Sequence, residues 1–314
     1  MRPTFGSSHD NPRSYRLTRR IFVCGIASAA LTSRLWARLW GQDKPRRIVS
    51  TAPSITEALF ALGLGDQVVG VSRFCDFPAS VQKLPKVGTY LAPDAEAIAR
   101  LLPDLVVLQR ISSELTDRLH ALHINFLEVP HGTLNDVYTG IALIAKAAAV
   151  PERGGALKDR IQRELTAIQS KAKQLPSPRV LVIVNRRAGM LADLTAAGPG
   201  SYVQQLLEIA GGANVLVQPG LPIYPRISLE TVLRDDPDMI LDLSGQQDSE
   251  AERVAASAQV LALWSQQSQL TAVRKGRVMV GTSNALIVPG PRAPEAARML
   301  FDYMHPTHGA GRAS

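Results

Sequence analysis

The sequence predicts an α/β protein of two similar lobes joined by a single long helix. A tyrosine, a glutamate and a proline–aspartate pair recur at one spacing: Tyr90, Glu96 and Pro103-Asp104, then Tyr224, Glu230 and Pro237-Asp238. Each set leads into an apolar run, 105–108 or 239–241, and Arg100 matches Arg234. Between the halves, residues 152–174 place Leu157, Ile161, Leu165 and Ile168 on one helical stripe, with Lys, Arg, Glu and Gln filling the other face. One structural unit used twice implies a cleft between the copies, and such a cleft is where a small ligand is held.

The first 42 residues read as an address. Arg13, Arg16, Arg19 and Arg20 precede an apolar run, 21–31, too short to cross a bilayer. Small and polar residues follow, the layout of a secretory signal. Thr18 to Val23, with Arg19 and Arg20 at its centre, resembles the twin-arginine export signal, so an exported or periplasmic location is expected. Cys24 lies too early in the apolar run to suit lipidation. That leaves Cys75, which can form no internal disulfide in the exported part and is expected to be a small packed residue. The leader holds seven arginines and one aspartate; of the chain's 35 basic and 27 acidic residues, 28 and 26 remain beyond it, a net of +2. These charges are interspersed, which excludes a nucleic-acid-binding face.

Lobe one is expected over 43–150. Residues 47–50 form a strand; Ser54 and Glu57 have the spacing of a capping box for a helix over 55–62, a structural role for Glu57. Gly63 ends that helix, and 68–71 form the next strand. Asp94 is a good N-cap, and Glu96 falls in the first turn that it opens, where the positive end of the helix dipole favours a carboxylate. Pro103 stops this helix, and the run after it is a buried strand. His120 and His123 are surface residues of a further helix, without a carboxylate or third histidine placed to complete a metal site. A helix over 134–149 closes the lobe, and 151–176 make the bridge. Lobe two, 177–306, repeats the scheme: a strand over 180–184, a helix over 202–210, then Ser228 as N-cap and Glu230 in its first turn. The last residues, 307–314, are expected to be a disordered tail; His305 and His308 belong to this Gly- and Ala-rich end.

With these elements in place, a family resemblance becomes specific. RIVSTAPSITEALFALGLGDQVVGVSRFCDFP and KVGTYLAPDAEAIARLLPDLVVL resemble the first lobe of the periplasmic cobalamin-binding proteins. These belong to the iron–siderophore and cobalamin class of solute-binding proteins that feed ABC importers. GSYVQQLLEIAGGANV, YPRISLETVLRDDPDMIL and GRVMVGTSNALIVPGPRAPEAARML resemble the second lobe. The resemblance implies a class III periplasmic binding protein of the helical-backbone type. It also implies that Phe74, Tyr90 and Tyr224 line a corrin cleft with flat aromatic faces. Asn284 stands where the cobalamin protein has an aspartate, keeping a hydrogen-bonding amide and losing a charge. Arg187, in the loop after a lobe-two strand, either pairs with a carboxylate of haem or a siderophore or sits in solvent. The positions of Glu96 and Glu230 are those that meet arginines of the two permease subunits. The implied partners are an ABC permease dimer with its ATPase subunits and a large metal chelate, cobalamin or another, and the protein is expected to be a monomer.

Other chemistries lack their motifs. Gly63, Gly65 and Gly70 do not have dinucleotide-binding spacing and follow a helix. Ser80 and Lys83 match a β-lactamase pair by letter only. No catalytic residues, resident cofactor or metal site are expected. The alternatives are a ferric siderophore or haem binder of the same class, and, from another class, a metal-dependent or hydrolytic enzyme.

Overall fold

A computed structural model describes residues 44–110, 113–244 and 250–306. The export signal read at 1–42, with Arg19, Arg20 and Cys24, and the tail over 307–314 with His308 lie outside these residues.

Lobe one is a parallel sheet of β1 (Ile48–Ser50), β2 (Val68–Val71), β3 (Leu105–Gln109) and β4 (Phe126–Val129), in the order β2-β1-β3-β4. The helices α1 (Pro53–Ala61), α2 (Ala95–Arg100) and α3 (Ser113–Ala121) connect successive strands. The central strands are short and almost wholly apolar because helices cover both faces; Val49, Val106 and Val107 are fully buried. Helix α4 (Leu134–Ala147) starts in a capping box made by Thr133 and Asp136. It runs into α5 (Pro151–Ala172), whose first position holds a proline with no amide to lose.

Lobe two contains β5 (Arg179–Asn185), β6 (Leu194–Ala196), α6 (Tyr202–Ile209), β7 (Ala213–Asn214), β8 (Arg226–Ile227), α7 (Leu229–Asp235) and β9 (Met239–Asp242). It ends with α8 (Glu250–Ser265), α9 (Thr271–Arg274), β10 (Val278–Val280) and α10 (Ala293–Met304). Its sheet order is β10-β9-β5-β6-β8, with β7 pairing β5. The β10, β9 and β5 strands are parallel as in lobe one, whereas β6 pairs antiparallel with both β5 and β8. The lobes are therefore similar at their centres and different at that edge.

The predicted stripe of Leu157, Ile161, Leu165 and Ile168 is buried along α5. Each of these side chains contributes about 1.5–3 kcal/mol by leaving water. They belong to one apolar cluster that also contains Ile55 and Leu59 of α1, Ile141 of α4, Leu206 of α6 and Leu300 of α10. The bridging helix is thus the spine of a core shared by both lobes, and not merely a tether between two separate cores.

The repeat is also visible in the backbone. Asp94 accepts hydrogen bonds from the amides of Glu96 and Ala97, and Ser228 accepts one from Thr231. Six residues after each glutamate, Leu102 (φ 46°) and Asp236 (φ 35°) adopt the left-handed conformation that turns the chain into the proline and the next strand. The side chain of Arg47 at the start of lobe one donates to the carbonyls of Leu101 and Leu102, and that of Arg179 donates to those of Asp235 and Asp236.

Two expectations are corrected. No capping box forms at Ser54 and Glu57: α1 begins at Pro53 with Ala52 as N-cap and no side-chain cap. The Ser54 hydroxyl instead accepts from Gln109 at 3.1 Å, and Glu57 turns inward. With the helix starting earlier, Glu57 no longer occupies the third position from which it reaches back to the cap. His305 is not part of a tail; it caps α10, its amide donating to Phe301 at 2.9 Å and its ring packing on the Phe301 ring.

Candidate binding site where the lobes meet

Phe74 follows β2 on the segment 72–78, and Tyr90 projects from the turn between β2 and α2. That turn is held by Gly88 (φ +89°), whose missing side chain leaves room for the carbonyl of Ala92 and the amide of Asp94. The hydroxyl of Thr89 accepts from the Ala92 amide at 3.0 Å, which tightens the turn further. The Phe74 and Tyr90 rings meet edge to face, centroids 5.9 Å apart, and remain 45% and 39% exposed. Two large rings left this accessible are a ready surface for a flat, partly apolar ligand.

Tyr224 stands in lobe two on the loop before β8 and is 41% exposed. Its loop is pinned through Ile223, whose carbonyl accepts from Gly198 at 2.8 Å, and Pro225, whose carbonyl accepts from Ala196 at 3.0 Å. Tyr90 and Tyr224 therefore sit at matching places of the repeat, one per lobe, on turns fixed by backbone hydrogen bonds.

The loop after β5 is built around a buried carboxylate. Asp242 accepts from Trp264 Nε1 at 2.9 Å, from Arg186 Nε at 3.2 Å, and from the amide and hydroxyl of Ser244. Arg186 in turn donates to the carbonyls of Arg187 and Met190 and so shapes the loop. Arg187 is exposed and engaged by Asp193, Nε to Oδ2 at 2.8 Å. A ligand carboxylate drawn to Arg187 would compete with that partner.

Asn284 opens a single 3₁₀ turn, and its side-chain amide donates to Asp76 of lobe one. The amide here has a physical reason: an aspartate at 284 would set two carboxylates against each other, and one would have to hold a proton. The lobes are fastened elsewhere too, the Tyr202 amide donating to the Gly132 carbonyl at 2.9 Å and the Leu134 amide to Gln205 at 2.7 Å.

Glu96 and Glu230 are both exposed in the first turns of α2 and α7. The Ser228 hydroxyl, and secondarily the backbone amide, hold the Glu230 carboxyl below its ordinary pKa, so it is ionised at neutral pH. Cys75 is buried, its sulfur 3.1 Å from the Thr56 hydroxyl, and burial above all pushes its thiol up to about 11. A thiol held protonated in this way is a packing residue. His120 and His123 are exposed, and His120 rests against Phe126.

Three residues carry more of the lobe contact than the sequence suggested. Glu57 of α1 is 3% exposed and points at Arg292, the residue before α10, with Oε1 3.8 Å from Nε. The Arg292 guanidinium lies 4.3 Å over the ring of Phe77, the residue that follows Asp76 in the chain. A lone carboxylate inside the apolar run of α1 was the available signal for Glu57. Nothing local marks Arg292 or Phe77.

A family model described as periplasmic binding protein matches residues 48–285. The chain belongs to that family. It is a solute-binding protein and not an enzyme. Family members that serve ABC transporters deliver their ligand to a permease–ATPase importer, and relatives are exported. A vitamin B12-binding protein of Vibrio parahaemolyticus is 27% identical over 253 residues, 80% of this chain and 86% of that protein. Among solved structures, the apo periplasmic haem-binding protein RhuT of Roseiflexus sp. RS-1 has a TM-score of 0.71 and 27% identity, covering 83% of this chain and 99% of that one. The periplasmic vitamin B12-binding protein BtuF of Vibrio cholerae has a TM-score of 0.68 at 24% identity, covering 83% and 97%, and bears on the fold.

Proposed function

We propose that this protein captures a cobalamin-like corrinoid between its lobes and delivers it to an ABC importer. The observation that carries the reading is the exposed pair Phe74 and Tyr90 on one lobe and Tyr224 at the matching place on the other. Flat aromatic faces suit a macrocycle that is apolar over its faces and polar at its rim, and the tyrosine hydroxyls reach that rim. Asn284 supplies an amide for the ligand's own amides, and Arg187 a cation at the margin. A B12-binding relative matching most of the chain supports the same ligand. Glu96 and Glu230 are the docking residues, one for each half of a permease dimer with its ATPase subunits, and the protein works as a monomer. Arg19 and Arg20 form a twin-arginine signal that exports the folded chain to the periplasm.

Haem is the second reading, favoured by the two tyrosines and by the likeness to RhuT. A tyrosine phenolate is a ligand for ferric haem iron, which a cobalamin does not require. Calorimetry with cyanocobalamin, haemin and a ferric siderophore decides between them. Saturable binding of cyanocobalamin alone supports the first reading. Binding of haemin with a shifted Soret band, and none of cyanocobalamin, moves the ligand to the second.

A further inference from the structure

The segment 72–78 has two attachments. Inside lobe one it is held at Cys75, whose amide donates to Ser72 at 3.0 Å, whose sulfur meets Thr56, and whose carbonyl accepts from Lys86. At its far end it is held by lobe two: Asp76 accepts from Asn284, and the Phe77 ring lies under Arg292. Phe74 stands between these attachments, so where its ring sits depends on both.

Arg292 is the centre of the outer attachment. Its side chain is 14% exposed, with Nε 3.5 Å from Glu295 Oε2 and 3.8 Å from Glu57 Oε1. The buried Tyr202 hydroxyl and the Asp76 carboxyl complete the set of titratable groups around Glu57. Of these five side chains only Arg292 is cationic; its Nε faces carboxyls from α1 and α10, while Asp76 acts on Glu57 and is held by Asn284. A planar guanidinium can stack on a ring and face carboxylates at its edge at once; an ammonium cannot.

We infer that Arg292 is a positioning residue: it fastens the lobe-one segment 74–78 to lobe two and so fixes where the Phe74 ring meets the ligand. The inference rests on the reading that Phe74 faces the ligand. Without Arg292, Glu57 and Glu295 lose the guanidinium between them, Phe77 loses its cover, and among the described residues the Asn284–Asp76 hydrogen bond is left to tie the segment across.

Hydrogen exchange of the ligand-free full chain, followed by mass spectrometry, tests this. In Arg292→Gln the amides of 74–78 and 283–290 should exchange roughly tenfold faster, the signature of local opening, while β3 and β9 keep wild-type protection. Arg292→Lys should fall between the two, because the charge stays and the stacked plane goes. A uniform rise across both sheets would mean that Arg292 serves stability alone, and unchanged exchange at 74–78 would mean that it holds nothing; either result overturns the inference. Should Arg292→Gln fail to fold, Phe77→Leu removes the ring with every charge in place and must produce the same local rise. Cyanocobalamin should also leave Arg292→Gln severalfold faster than wild type. Wild-type protein that binds no cyanocobalamin overturns the proposed ligand, and the ligand-free exchange still decides the role of Arg292.

Discussion

Asp238 makes in the second lobe the contact that Asp104 makes in the first. The Asp104 carboxylate accepts from the Arg47 amide at 2.9 Å, and that of Asp238 accepts from the Arg179 amide at 3.1 Å. In each lobe the aspartate of the Pro-Asp pair thereby clips the first strand to the strand that follows its own turn. Replacing Asp238 with Ala removes this charge-assisted hydrogen bond, and replacing Asp104 removes two, because Asp104 also accepts from the Arg46 amide at 2.7 Å; each should cost about 1–3 kcal/mol in urea unfolding. Because the lobes share a core along α5, the double variant should unfold in one transition at the summed cost. Two separated transitions would show that the lobes unfold independently.

Glu57 makes stability depend on pH in an unusual direction. Burial, opposed by Arg292 and reinforced by Asp76 and Glu295, raises its pKa from 4.5 to about 8. The folded state therefore binds more protons than the unfolded state between these values. Its contribution is most favourable below about pH 4.5 and is lost as pH rises through about 8. The full effect is about 3–5 kcal/mol, so Glu57→Gln should be more stable than wild type at pH 8.5 and should lack this descending limb. Parallel pH profiles for the two proteins would remove the assignment to Glu57.

The aromatic positions should govern affinity and leave the fold unaffected. Tyr90→Ala and Tyr224→Ala each remove a half-exposed ring, and each should weaken cyanocobalamin binding by about 1–3 kcal/mol with little change in unfolding. Calorimetry reads the first effect and thermal melting the second. Wild-type affinity in both variants would place the ligand elsewhere.

Glu96 and Glu230 should matter only to delivery. An exposed carboxylate in a helix first turn is screened by water and adds little to folding, so changing both to Gln should leave folding and ligand affinity almost intact. Opposite charge across a docking surface sets orientation and encounter rate, and uptake of labelled ligand into vesicles bearing the permease should fall steeply, most in the double variant. Full uptake by the double variant would leave the two glutamates as helix-dipole partners.

The sequence by itself determined the architecture, because that architecture is written in local signals. The Tyr–Glu–Pro-Asp repeat, the caps at Asp94 and Ser228 and the stripe of Leu157, Ile161, Leu165 and Ile168 each depend on neighbours within a few turns. Phe74, Tyr90 and Tyr224 were singled out by the family resemblance, and all three rings stand exposed in the structure. Only the tertiary structure decided the chemistry between the lobes. Glu57 has the spacing of a capping residue until the fold sets Arg292, 235 positions further along the chain, against it. Asn284 looks like a weakened aspartate until Asp76, 208 positions earlier in the chain, is beside it. Charge pairing acts through space and leaves no periodic trace in the chain, so these partners became visible only once folding had brought the two halves together.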